Sequence, residues 1–184
     1  MLESLARVDD FGGQVGKGST DVALLKRAYR AMAERLAEAW QERDPATPLQ
    51  SADEALTLAS IVEKETGVAA DRGRVAGVLL NRLRIGMPLQ TDPTVIYGLG
   101  TAFDGNLHKR DLLTDGPYNS YTRAGLPPTP IAVPGRASLL AAVRPEQTKA
   151  LYFVSRGDGS SEFSETLADH NRAVNRYQRN PKAQ

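Results

Sequence analysis

Between Ser19 and Gly86 the chain repeats one pattern: a capping residue, a run of apolar side chains three and four positions apart, then a breaker. The segment 19–43 opens with Ser19 or Thr20 as cap and Asp21 in the first turn. Its apolar residues Val22, Leu25, Tyr29, Met32, Leu36 and Trp40 fall at the spacing of one helical face. Two prolines between Asp44 and Pro48 break it, and Ser51 or Asp53 can cap a second helix that runs to about Thr66 and stops at Gly67. Asp71 then caps a third over 72–85, with Val75, Val78, Leu79 and Leu83 as its stripe and Gly86 at the stop. Such stripes must be covered, so the first half of the chain specifies a helical layer.

After Met87 the texture changes to short apolar pieces set among Pro, Gly, Asn and Asp. The runs 94–99 and 150–156 read as strands, 134–146 as a short helix ending near Pro145, and 165–178 as a final helix. Helices first and short strands later indicate an α+β fold. It has a helical N-terminal half, then a mixed region with long proline-rich loops and a C-terminal helix. The 184 residues suit one domain over 18–184, with residues 1–17 reading as a flexible leader.

Composition removes several function classes. With 23 basic against 22 acidic residues the formal charge is +1, which gives no reason to expect a nucleic-acid partner. The absence of cysteine excludes disulfides, thiolate metal sites and thiol nucleophiles, but does not fix a compartment. No apolar run approaches the roughly 18–20 residues of a membrane span. His108 and His170 stand far apart without paired carboxylates, so no metal and no other cofactor is expected. The glycine-rich run 12–19 lacks the first glycine and the hydroxyl residue of a phosphate loop, having Phe11 and Gly18 there. Ser60 and Ser120 lack the glycine context of a nucleophile elbow.

Two glutamates remain, Glu63 and Glu65, in TLASIVEKETG. At 100° per residue, Leu58, Ile61, Val62 and Glu65 occupy one stripe, whereas Glu63 projects away from it into a solvated or supporting position. A carboxyl in a buried stripe costs free energy unless paired or used. Burial also raises its pKa, as a general acid requires. By the same reading Glu63 should be the cheaper of the two to replace. The polar loop 88–100 offers Gln90, Thr91, Asp92, Thr94 and Tyr97 to a hydroxyl-rich ligand, or else is an Asx-type turn into a strand. The long segment 118–135, with Asn119, Ser120 and Tyr121, has the length of a binding loop.

Taken in order, LASIVEKET, NRLRIGMPLQTDPTVIYG, YNSYTRAGLPPTPIAVPG and LYFVSRGDG through DHN resemble the endolytic murein transglycosylases known as MltG or the YceG-like family, from about Ser19 to Tyr177. The resemblance implies non-hydrolytic cleavage of the β-1,4 bond between N-acetylmuramic acid and N-acetylglucosamine, with Glu65 as acid and then base and Thr66 beside it. Gln90, Thr91, Asp92, Tyr97, Asn119, Ser120 and Tyr121 are the candidates for holding sugars or supporting Glu65. Peptidoglycan strands are the implied substrate, and peptidoglycan synthases the candidate protein partners. The implied location is the periplasmic face of the bacterial inner membrane. The membrane anchor and LysM-like module usual in the family have no counterpart in this sequence, so the chain reads as a soluble fragment.

Two rivals stay open beside this expectation, and a third is discounted. A muramidase-type hydrolase would use Asp92 as its second carboxylate. A non-catalytic peptidoglycan-binding module would need only the loops. A pyridoxal-dependent lyase would need Lys64, which lies on another helical face from Glu65 and has no phosphate cup to accompany it.

Overall fold

The computed structural model describes residues 20–179. The expected leader and the glycine-rich run 12–19 lie outside the described residues. Helix α1 spans Asp21–Gln41 and is capped by Thr20, whose hydroxyl accepts from the Ala23 amide. Helix α2 spans Ala52–Glu65, with Ser51 as cap, and α3 spans Ala69–Arg84. Then follow α4 (Asp92–Leu99), a short 3-10 turn, α5 (Lys109–Leu113) and α6 (Arg136–Val143). Strands β1 (Tyr152–Ser155) and β2 (Ser161–Ser164) form an antiparallel hairpin that pairs Tyr152 with Ser164. Helix α7 (Leu167–Val174) packs on the hairpin and unwinds into a π turn, Asn175–Arg179. The architecture is α+β, as the order of patterns indicates.

Helix α2 is the centre of the core. Ala55, Leu58, Ala59, Ile61 and Val62 are wholly buried, against α3 on one side and α6 on another. Its small residues let neighbouring helices approach, while Leu58 and Ile61 each contribute about 1.5–3 kcal/mol by leaving water. Helix α1 joins this core through Met32, Leu36, Ala39 and Trp40. The first part of its stripe stays open, with Val22, Leu25 and Tyr29 at 59%, 52% and 77% exposure. No helix among the described residues is long and apolar enough to cross a membrane.

Three local expectations are corrected. The run 94–99 is helical: Thr91 takes the cap position, Asp92 the first turn and Pro93 a first-turn site. Those start signals outweigh the β-branched residues, and a helix satisfies its own backbone where no partner strand is at hand. Helix α2 ends without glycine, since Thr66 leaves it in extended conformation, its hydroxyl accepting from the Val68 amide at 3.1 Å. Asp71 sits inside the first turn of α3, where the cap is Val68, and its carboxylate instead accepts from the Ser161 amide at 2.7 Å. That bond ties the hairpin to the helical layer, and β2 itself, SEFS, has no alternation strong enough to announce a strand.

Two close approaches set how the hairpin meets the helices. A Cβ on Gly77 would stand 2.7 Å from the Glu146 carbonyl oxygen, so only glycine lets the chain entering β1 lie against α3. Asn81 of α3 donates to the carbonyls of Thr148 and Ala150 at 2.8 and 3.1 Å. Gly86, at φ +67°, turns the chain out of α3 toward the 87–91 loop.

Candidate functional site

Glu65 is the last residue of α2, and its side chain lines an open cleft of about 540 Å³. One wall is polar and comes from the helical layer: Glu65, Arg82, Gln90, Asp92 and Tyr121. The opposite wall is the hairpin with α7 and its extension, carrying Tyr152, Phe153, Val154, Leu167, His170 and Val174. Ser155, Ser161 and Gln178 add polar groups to that side. A groove with hydrogen-bonding groups facing aromatic and aliphatic ones matches the two surfaces of a sugar ring.

The Glu65 carboxyl makes no direct hydrogen bond to another described residue. Burial raises its pKa to about 7, helped by the negative charge of Asp92 and opposed by the cation of Arg82. Its place at the carbonyl end of α2 also disfavours a negative charge. Near neutral pH this group can therefore give up a proton or take one.

Asp92 is exposed in the first turn of α4 and accepts the Tyr121 hydroxyl at 2.5 Å. Burial, then that bond, push the Tyr121 phenol above its ordinary pKa, so it serves as a donor. Gln90 has φ +52°, a left-handed conformation that costs a non-glycine residue about 1 kcal/mol or more. It is held by its own amide donating to the Ser120 carbonyl at 2.9 Å and by the Thr91 amide donating to Ser120 Oγ at 2.9 Å.

The candidate residues thus separate by position. Glu65, Gln90, Asp92 and Tyr121 share the cleft. Thr91 and Ser120 are buried beneath it, where Ser120 Oγ lies 2.7 Å from the Thr94 hydroxyl. Asn119 turns inward, donating to the Asp111, Leu112 and Thr114 carbonyls at 3.0, 3.2 and 2.7 Å and so closing the end of α5. Tyr97 is not in the cleft wall; its ring stands edge-on to Tyr118 with centroids 4.9 Å apart. Glu63, expected in a solvated or supporting place, is half-buried and caps α6, accepting from the Gly135 amide at 3.1 Å and the Ser138 hydroxyl at 2.6 Å.

Sequence reasoning missed Arg82 and the whole second wall. Val75, Val78, Leu79 and Arg82 repeat the spacing that singled out Glu65, so the same phase argument applied to α3 would have found the arginine. His170, read as an isolated histidine, lies half-buried in the cleft, stacked on Tyr152 with centroids 5.2 Å apart. Burial and the nearby Arg82 keep it below its ordinary pKa. His108, by contrast, is exposed and pairs with Asp104 at 3.1 Å.

Fold and cleft together define a class: a small α+β domain that holds one unpaired, proton-retaining carboxyl at a helix end over an open polar and aromatic groove. The YceG-like family model matches residues 14–176, and the chain belongs to that family. An endolytic murein transglycosylase of Bacillus subtilis (strain 168) is 48% identical over 122 residues, covering 66% of this chain and 34% of that protein. One from Streptococcus pneumoniae serotype 2 is 34% identical over 127 residues, covering 66% of this chain and 23% of its own length. The chain thus spans about a quarter to a third of the length of the curated relatives it matches. The crystal structure of a yceG-like protein from Listeria monocytogenes superposes with a TM-score of 0.69 at 30% identity, over 93% of this chain and 62% of that one.

Proposed function

We propose that this chain carries the catalytic site of an endolytic peptidoglycan lytic transglycosylase, which cuts the bond between N-acetylmuramic acid and N-acetylglucosamine within glycan strands. The names of the two bacterial relatives support the reading. The observation that carries it is the Glu65 carboxyl, half-buried in the cleft wall, without a direct hydrogen bond to any described residue, its pKa raised to about 7. Protonated Glu65 gives its proton to the glycosidic oxygen as the bond from that oxygen to the muramyl anomeric carbon breaks and an oxocarbenium-like centre develops. The carboxylate left behind takes the proton of the muramyl 6-hydroxyl while that oxygen bonds to the anomeric carbon. The proton returns to Glu65, no water is consumed, and the product ends in a 1,6-anhydro ring.

Only one catalytic carboxyl is needed, because the nucleophile belongs to the substrate. Asp92, already engaged by Tyr121, would then tune Glu65 by its charge. The muramidase reading keeps one observation in its favour, that Asp92 stands in the same cleft and couples electrostatically to Glu65. The setting we propose is the periplasmic face of the inner membrane, where glycan strands are accessible. Peptidoglycan synthases, which make those strands, are the protein partners this reading names.

The test is digestion of purified peptidoglycan by wild type and Glu65→Gln with mass analysis of chain ends and strand lengths. Wild type should release anhydro-muropeptides, with long fragments early as internal cuts require. Glu65→Gln should stay folded and lose the roughly 10²–10⁴-fold or more that a general acid and base supplies. Undiminished release by Glu65→Gln would overturn the assignment.

A further inference from the structure

Arg82 is 7% exposed and forms no ion pair within the described residues. A guanidinium withdrawn from water without a carboxylate partner is costly, and a Leu or Met in the same stripe of α3 would pack there without that cost. Its contacts indicate what it does. Nε donates to the Leu151 carbonyl at 2.7 Å, next to the first residue of β1. Nη1 donates to the Leu89 carbonyl at 2.7 Å, with longer contacts to the Pro88 carbonyl at 3.3 Å and to Gln90 Oε1 at 3.4 Å. The guanidinium carbon lies 5.2 Å from the centroid of Tyr152, whose other neighbour is His170. One rigid fork thus reaches both walls of the cleft and steadies the loop that holds Gln90 in its left-handed conformation, from the side opposite Ser120.

We propose that Arg82 is a positioning residue that ties the hairpin wall of the cleft to the 87–91 loop and so sets where Gln90 and Tyr152 stand relative to Glu65. The proposal rests on the catalytic reading of Glu65 given above. Lysine could keep the charge but, having one terminal nitrogen, could not span both walls. Methionine could fill the space but would leave the carbonyls of Leu151 and Leu89 unpaired and remove a cation from the surroundings of Glu65. The other titratable groups facing this centre are Asp92 on α4, Tyr121, Tyr152 on β1 and His170 on α7.

The experiment compares wild type, Arg82→Lys and Arg82→Met in two ways. Without substrate, carboxyl-labelled glutamate follows the titration of Glu65 by NMR, and amide shifts are read at Gln90, Thr91, Tyr152 and Phe153. With peptidoglycan, kcat, KM and the basic limb of the pH profile are measured. Arg82→Lys should keep the Glu65 titration close to that of wild type, shift amides on both walls, and lose on the order of 10²-fold, mainly in kcat. Arg82→Met should move the titration and the basic limb together to higher pH. Wild-type amide shifts and kcat in Arg82→Lys, or wild-type amide shifts on both walls in Arg82→Met, would overturn the proposal. Should Arg82→Met fail to fold, Arg82→Lys decides. Should wild type release no anhydro ends, the catalytic reading falls, while the substrate-free spectra still decide the role of Arg82.

Discussion

Replacing Glu65 by Gln should stabilise the protein at high pH while abolishing its activity, and the gain should vanish in acid. The folded chain holds the Glu65 proton up to about pH 7, against 4.5 for an unperturbed glutamate. Below pH 4.5 both folded and unfolded chains carry it, so the stability associated with the raised pKa is fully present. Between 4.5 and about 7 the unfolded chain releases the proton first, and stability falls as pH rises through the folded value. At about 1.4 kcal/mol per pH unit the loss is about 3 kcal/mol, complete above pH 7. Glutamine has the same shape and no proton to lose. In paired thermal melts from pH 4.5 to 8.5, Glu65→Gln should lie within about 2 °C of wild type at the acid end. It should melt about 6–12 °C higher at the basic end. Subtracting one melt from the other cancels the titration of unrelated groups. A difference that is flat with pH, or that narrows as pH rises, would refute the claim that burial keeps this carboxyl protonated.

Three further substitutions test neighbouring parts of the account. Glu63→Ala removes both acceptor bonds at the N-terminus of α6 and should cost about 1–2 kcal/mol, read as a lower Tm with specific activity kept in the folded fraction. An unchanged Tm would contradict the capping role. Asp92→Asn removes a negative charge facing Glu65, so the basic limb of the pH profile should move to lower pH. It should cost less than the roughly 10²-fold expected of a catalytic carboxylate, whereas complete inactivity would favour the hydrolase. Gly77→Ala drives a Cβ against the Glu146 carbonyl and should destabilise by about 1–3 kcal/mol in denaturant melts. A neutral result would mean that the hairpin entry can move away from α3.

Glu65 was legible because α2 is a regular helix, in which a carboxyl in phase with Leu58, Ile61 and Val62 has to be explained. The start signals narrowed the caps to Ser19 or Thr20 and to Ser51 or Asp53, and Thr20 and Ser51 take those places. Legibility fails where partners come from afar in sequence. Glu63 sits off the stripe of its own helix, yet α6, more than seventy residues on, brings Gly135 and Ser138 to it. Asp71, Asn81 and Arg82 help fasten the hairpin that carries the Tyr152–His170 face to α3, through long-range bonds whose partners no local pattern announces. At 94–99 the β-branched residues pointed one way and the Asp92–Pro93 start signals the other, and the backbone's need for internal hydrogen bonds decided between them.

The central claim, that Glu65 gives and then recovers a proton without water entering the bond, is tested most directly by digesting peptidoglycan in oxygen-18-labelled water and weighing the new muramyl ends. The account predicts unlabelled 1,6-anhydro ends from wild type and no new ends from Glu65→Gln. Reducing ends that carry the heavy oxygen, or anhydro ends made equally well by Glu65→Gln, would contradict it.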